Sequence, residues 1–131
     1  MSEHPNVNPA RESYDAIAKG DLDYIRDHLL AEDVVFHVPG RGSLAGDHSG
    51  KANVSSYLAK LAEQSGNSMR YEPEVFLADD QYVSVLLRIR GDHDGKVLNE
   101  RGVHVFRIVG GRIAERWSFP QDSYVIDEFF S

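Results

Sequence analysis

The sequence predicts an α+β domain in which helices come first and an antiparallel sheet follows. Apolar residues recur at helical spacing near the start of the chain and again over residues 51–63. Residues 70–119 instead form four strand-length runs with alternating apolar side chains. The turns between these runs are short, such as Asp79-Asp80 and Gly110-Gly111, so consecutive strands are expected to pair as hairpins. A length of 131 residues fits one domain.

The first helix is predicted to begin at Asn8-Pro9 and to end at Gly20. Asn8 can accept hydrogen bonds from first-turn amides, and a proline at the first helical position loses none. Glycine directly after the last helical residue is a common helix stop. The polar residues 1–8 are expected to form a flexible tail, which leaves residues 9–131 as a single domain.

Two more helices complete the predicted helical layer. Asp21 caps a second helix, and a third runs from about Lys51 to Glu63. Their apolar stripes are Leu22, Ile25, Leu29 and Leu30 in the second helix and Val54, Tyr57, Leu58 and Leu61 in the third. We expect these stripes to pack on one face of the sheet.

Five strands are predicted, which gives the order ααβαββββ. They are Val34–Val38, Arg70–Ala78, Tyr82–Arg90, Val97–Val109 and Arg112–Phe119. The glycine-rich segment 40–50 is predicted to be a loop. Pro73 cannot donate a ladder hydrogen bond, so its strand is expected at an edge or with a bulge.

Composition argues against several classes of partner. The net charge is -7, and no cluster of lysine and arginine stands out, so we expect no nucleic-acid binding. Strand arginines such as Arg107 and Arg116 are expected on the wet side of the sheet. The chain has no cysteine, no secretory run at its start and no apolar stretch long enough to span a membrane. A cytoplasmic protein is therefore expected.

The order of several short motifs resembles a known family. The motifs are Gly20-Asp21-Leu22, Ala31–Gly40, Leu44-Ala45-Gly46, Gly50-Lys51, Val103–Ile108, Gly111–Trp117 and Asp122. Together they resemble the SnoaL-like branch of the nuclear transport factor 2-like superfamily, which also contains the ketosteroid isomerases. The resemblance covers nearly the whole chain, from about Pro9 to Phe130.

The resemblance implies a cone, in which three N-terminal helices pack on a strongly curved antiparallel sheet around one pocket. It also implies frequent homodimerisation through the sheet and a small apolar organic ligand. It does not fix a reaction, because members isomerise, cyclise, hydrate or dehydrate substrates, while others only bind. The chemistry therefore has to be argued from the residues of the pocket.

Two histidines are the first candidates for that chemistry. His37 precedes the Pro39-Gly40 break and falls where the resemblance places the catalytic aspartate base of the isomerases. A histidine there could act as a general base, since its ordinary pKa is close to neutral. Strand alternation places His104 with Phe106 on the interior face, where the resemblance implies a donor to a developing oxyanion. For both, a purely structural histidine remains the alternative.

Asp122 and Tyr14 are further candidates. Asp122 lies in the region where the resemblance to SnoaL-like cyclases implies an acid/base aspartate, or else it caps the segment that follows it. Tyr14 could offer a phenol to the pocket, or belong to the core. When the isomerases are aligned at Gly20-Asp21 without a gap, their catalytic tyrosine falls at Ser13, one position from Tyr14. This departure argues against a true ketosteroid isomerase.

Aromatic residues are the candidate ligand-binding wall. They are Phe36, Tyr57, Phe106 and Trp117, and each is equally compatible with plain core packing. Histidine spacing does not indicate a metal site, and we expect no cofactor. The leading hypothesis is a cofactor-independent isomerase, cyclase or hydratase/dehydratase that moves protons on a small apolar carbonyl or hydroxyl compound. The alternative is a non-catalytic ligand-binding or dimerisation module.

Overall fold

The computed structural model describes residues 3–131 and confirms the predicted α+β architecture. Its helices are α1 (Val7–Lys19), α2 (Leu22–Tyr24), α3 (Lys51–Gln64) and α4 (Ser123–Phe129). A π-helical turn, Ile25–Leu29, continues directly from α2. No helix of the described residues is long and apolar enough to cross a membrane.

A six-stranded sheet forms the other layer of the domain. Its strands are β1 (Leu30–Val38), β2 (Gly46–Ser49), β3 (Arg70–Ala78), β4 (Tyr82–His93), β5 (Lys96–Val109) and β6 (Arg112–Pro120). Their order across the sheet is β2-β1-β6-β5-β4-β3. The sheet is curved but not closed, because β2 and β3 remain as edge strands over the described residues. It is therefore a cone-like open sheet rather than a closed barrel.

One strand pairing corrects the prediction of a purely antiparallel sheet. β1 pairs in parallel with β6, with His37 opposite Trp117, while the other four pairings are antiparallel. Hairpin logic applies only to strands joined by short turns. β1 and β6 are separated by α3 and four strands, so a hairpin cannot set their direction. The sheet is mixed.

Three further elements differ from the sequence prediction. The predicted 40–50 loop contains β2, which pairs with β1. A fourth helix, α4, follows β6. Helix α1 begins at Val7, which is buried. Hydrogen bonds of His4 and Asn6 with residues 79–80 also hold part of the predicted tail in place. Residues 1 and 2 of that tail lie outside the described residues.

A bulge in β6 decides which side chains reach the interior. Ile108 pairs with Ile113, but Arg107 pairs with Glu115, so β6 carries one extra residue at Ala114. An extra residue reverses the alternation of every side chain beyond it. Arg116 consequently points inward, and Trp117 points outward.

The core lies between the inner face of the sheet and helices α1 and α3. Phe106 and Ile113 are fully buried at its centre. From the helical side, Ala10 and Tyr14 of α1 and Val54 of α3 complete it. The helical stripes therefore pack on one face of the sheet, as the sequence predicts, and the outer face is left without a covering layer.

Candidate functional site

An apolar pocket lies between the inner face of the sheet, α3 and α4. Its wall is mostly apolar and includes the hydroxyl-bearing residues Tyr57, Tyr71 and Ser118. Ile126 and Phe130, from the C-terminal end of the chain, close one side. The pocket is partly open, and its volume is ≈ 40 Å³, enough for a few water molecules. A larger ligand therefore requires this closing segment to move.

Asp127 fastens α4 to the loop that follows β1. Its carboxylate accepts the backbone N–H of Arg41 at 2.9 Å and that of Gly42 at 3.1 Å. Gly40 has φ +97°, and any β-carbon there would collide with the Asp127 carboxylate. Glycine is thus required at this position by both conformation and space. The arrangement holds α4 across the pocket.

Arg116 lies behind the pocket wall, where its charged side chain is buried away from solvent. Only 2% of the residue is exposed, and its guanidinium carbon lies 4.3 Å from the ring centre of Phe36. Nη2 donates to the Tyr57 hydroxyl at 3.4 Å, a long bond. Nε has no hydrogen-bond partner, and the side chain forms no ion pair within residues 3–131. The interior therefore contains an unneutralised positive charge.

Tyrosine hydroxyls surround this guanidinium. Burial raises the pKa of Tyr71, and Tyr57 adds to that shift while Arg116 opposes it. Burial alone would lower the pKa of Arg116, but the tyrosines reverse the direction and leave that pKa raised. At neutral pH the raised pKa values keep the Tyr14 and Tyr71 phenols protonated beside a charged guanidinium. Such a cluster offers hydrogen-bond donors to an oxygen atom.

His104 and Tyr14 form a buried pair next to this cluster. The Tyr14 hydroxyl and Nδ1 of His104 are 2.9 Å apart, and the histidine is 1% exposed. Burial, and then the positive charge of Arg116, lower the pKa of His104 well below its ordinary value. The imidazole is therefore neutral at pH 7. It lies one layer behind Tyr71, whose ring centre is 5.1 Å from its own.

Five of the eight sequence-predicted site residues come together in the interior. They are Tyr14, Phe36, Tyr57, Phe106 and His104. Tyr57 lines the pocket directly, whereas Phe36 and Phe106 pack behind it against Arg116 and His104. The structure does not bring His37, Trp117 or Asp122 to this site.

His37 lies on the outer face of the sheet, which corrects its expected place at the pocket mouth. Phe36 points inward, so the next residue of the strand must point outward. Its Nδ1 is 2.8 Å from Asp47, its Nε2 is 2.5 Å from Glu115, and its ring stacks on Trp117. The bond to Glu115, followed by that to Asp47, raises the pKa of His37. This histidine connects three strands.

Trp117 and Asp122 also lie elsewhere than expected. The bulge at Ala114 turns Trp117 to the outer face, so it is not a pocket wall. Asp122 is the N-cap of α4, and its carboxylate accepts the N–H of Tyr124 at 3.0 Å. That is the capping alternative considered for it from sequence.

Two residues at the site escape sequence reasoning. Arg116 is expected on the wet face if β6 alternates regularly, and only the adjacent apolar pair Ile113-Ala114 hints at the bulge. Tyr71 precedes Pro73 in a strand whose burial does not alternate cleanly. Within residues 3–131 no group of three or more His, Asp or Glu side chains could hold a metal ion.

Comparisons with known proteins agree with this geometry. A model of the SnoaL-like domain matches residues 10–116. An uncharacterized protein of Mycobacterium tuberculosis is 30% identical over 100% of both chains. The structure resembles Bal32a from a soil-derived mobile gene cassette, with a TM-score of 0.90, 26% identity and 97% of each chain covered.

An NTF2-like protein of unknown function from Burkholderia pseudomallei is also similar. Its TM-score is 0.86 at 25% identity, with 98% of this chain and 99% of that chain covered. The family model spans most of the chain and ends at Arg116, within β6. The chain therefore belongs to the family of SnoaL-like domains.

Proposed function

We propose that this protein binds a small, largely apolar carbonyl or hydroxyl compound in the interior pocket and acts on it, without a cofactor, by proton transfer. The observation that carries the proposal is the set of donors behind an apolar wall: the Tyr57 and Tyr71 hydroxyls next to buried Arg116. Donors of this kind stabilise negative charge that develops on a substrate oxygen.

The proton acceptor in this proposal is the neutral imidazole of His104. With its own proton on Nδ1, that N–H donates to Tyr14 and Nε2 has a free lone pair. His104 lies behind Tyr71, so the step requires the Tyr71 ring to move aside. Nε2 then takes a proton from the carbon next to the carbonyl, and the C–H electron pair forms the enolate. The negative oxygen is held by the tyrosine hydroxyls. In a β,γ-unsaturated ketone, return of the proton to the γ-carbon isomerises the substrate. In a substrate with a second carbonyl, the enolate carbon instead attacks that carbonyl carbon, which closes a ring, and the alkoxide formed takes the proton from His104.

A non-catalytic binding protein is the second candidate. It is favoured by the positions of His37 and Asp122, since two of the three predicted acid/base residues lie outside the pocket. It is also consistent with His104 lying behind Tyr71 rather than in the wall. In that case the donors orient a ligand and no proton is transferred.

Hydrogen–deuterium exchange on 2-tetralone separates the two candidates. This ketone is apolar and has exchangeable protons next to its carbonyl, so NMR in D₂O follows proton transfer directly. We expect the protein to accelerate exchange over buffer, and His104→Gln to reduce the acceleration by about 10²-fold. The matched control is His28→Gln, which changes an exposed histidine whose ring lies against Tyr24, away from the pocket.

Binding of 2-tetralone is measured in the same samples by chemical-shift changes. Binding without accelerated exchange would contradict the catalytic proposal and support the binding protein. Equal exchange in the wild type and in His104→Gln would remove His104 from the reaction.

We also propose that a second copy of the chain covers the outer face of the sheet. Val75, Leu86, Val103 and Phe119 lie opposite one another across four strands, and three of them are strongly exposed. A continuous apolar row of this kind is typical of an interface. Two copies related by a twofold axis would bury the row against itself.

Replacing Leu86 with arginine tests this pairing. The two introduced guanidinium groups, one on each copy, would face an apolar interface. We therefore expect the dimer to dissociate at micromolar concentration. Light scattering coupled to size-exclusion chromatography measures the mass. Tyr124→Arg, on α4 and 81% exposed, should leave it unchanged. A monomeric wild type would contradict the proposal.

A further inference from the structure

The free edge of the Arg116 guanidinium has the geometry that a carboxylate requires. Nε and Nη2 form one fork of the planar group and can donate to two oxygens of the same anion. Nε has no partner, and Nη2 makes only the 3.4 Å bond to Tyr57. This fork makes no strong interaction within residues 3–131, but Nε is buried and Arg116 is not part of the pocket lining, so a ligand reaches the fork only when Tyr57 or Tyr71 moves aside.

Among residues 3–131, no negative group forms an ion pair with this charge. The groups that raise the pKa of Arg116 are Tyr57, Tyr71 and Tyr14, and no carboxylate is among them. Asp127 lines the pocket, but its oxygens accept the N–H groups of Arg41 and Gly42. Water could accept a hydrogen bond from Nε, yet it would bring no charge. A buried charge without an opposite charge is costly.

We propose that the ligand of this pocket carries a carboxylate, which pairs with Nε and Nη2 of Arg116 while its apolar part fills the aliphatic pocket. The hydroxyls of Tyr57 and Tyr71 lie where they can donate to the same group. The class of ligand is thus a small aromatic or alicyclic acid. The inference rests on the proposed function, because it specifies the ligand of the same pocket.

In this proposal, preference for an anionic ligand comes from the nearby charge of Arg116 and not from the protein as a whole, which carries a net charge of -7. The long-range field of such a protein repels an anion and is weakened by salt. The buried guanidinium acts at contact distance, where screening is small. We therefore expect the affinity for the acid to change little, or to rise, between 20 and 200 mM salt.

Benzoate and acetophenone are matched probes for this inference. The two molecules have nearly the same shape, but acetophenone has a methyl group where benzoate has one of its two carboxylate oxygens. We expect benzoate to bind the wild type at least about tenfold more tightly than acetophenone, since a charged hydrogen-bonded pair is worth more than a neutral bond. Titrations followed by protein NMR measure both affinities, even in the millimolar range.

Arg116→Met and Arg107→Met provide the variant pair. Methionine keeps much of the length and bulk of the side chain and removes the charge. Arg107 lies on the outer face, where it pairs with Glu115 at 3.2 Å, so it serves as the control. We expect Arg116→Met to lose the preference for benzoate and to keep acetophenone binding, and Arg107→Met to behave as the wild type.

The outcomes distinguish this inference from the function on which it rests. Acetophenone binding equal to that of benzoate, or benzoate binding that survives in Arg116→Met, would overturn the carboxylate inference and leave the pocket function standing. Failure of both probes to bind the wild type would overturn both. Circular dichroism of each variant verifies that the fold is retained.

Discussion

Replacing Arg116 with methionine is expected to raise the free energy of unfolding by about 1–3 kcal/mol, because it removes a buried charge that no opposite charge offsets. The tyrosines around the guanidinium are protonated at neutral pH, so they contribute dipoles rather than charge. The loss of the contact with Phe36 opposes the gain by about 1 kcal/mol. Urea unfolding of the ligand-free protein measures the difference.

The matched control is Arg107→Met on the outer face. Arg107 is partly exposed and its ion pair with Glu115 is accessible to solvent, so we expect a change within about 0.5 kcal/mol. A destabilised Arg116→Met variant would show that the guanidinium supports the fold and is not held for a ligand. Stability gained together with ligand affinity lost would instead be typical of a functional residue.

Acidification is expected to destabilise the protein through His104. The folded-state pKa of this buried histidine is lowered well below its ordinary value of 6.5. Below pH 6.5 the unfolded chain therefore binds a proton that the folded protein does not. From 6.5 down to the folded pKa, stability should fall by up to about 1.4 kcal/mol per pH unit. Urea unfolding at several pH values between 6.5 and 5 measures this slope.

His104→Gln should remove most of this slope, since glutamine does not titrate. A variant that retained the full slope would assign it to other groups.

His37 affects stability in the opposite direction, because its raised pKa keeps the proton bound in the folded state. Its contribution to the free energy of unfolding is therefore present below pH 6.5 and is lost as the pH rises through the folded pKa. His37→Gln should flatten the alkaline side alone. The two histidines together place maximum stability near pH 6.5.

Much of the fold could be predicted from local patterns. The stripes of α1 and α3 and the alternation in β4 and β5 each concern residues that are neighbours in sequence, and the structure confirms the faces assigned to them. His104 is an example, because regular alternation along β5 correctly placed it beside Phe106 in the interior. The pairing of β1 with β6 depended instead on long-range packing, which no local pattern records.

The candidate site was harder to predict because it depends on one inserted residue. Ala114 adds a bulge to β6, and the bulge exchanges the positions of Arg116 and Trp117 relative to regular alternation. A polar residue assigned to the solvent thereby turns into the interior behind the pocket wall, and an aromatic residue assigned to the pocket turns to the outer face. The expected position of His37 is wrong for a different reason. The resemblance to the isomerases implied a place in the pocket, whereas strand alternation requires His37 to point outward if Phe36 points inward.

The parallel pairing of β1 with β6 also constrains how the chain reaches its native state. Val35 lies opposite Glu115, so the central ladder closes a loop of most of the chain. Such a contact costs loop-closure entropy and forms slowly compared with the β4–β5 hairpin. During synthesis, β1 leaves the ribosome long before its partner exists. The edge of β1 that pairs with β6 therefore stays exposed until the last strand is made, and loss of β6 would leave that edge without its partner.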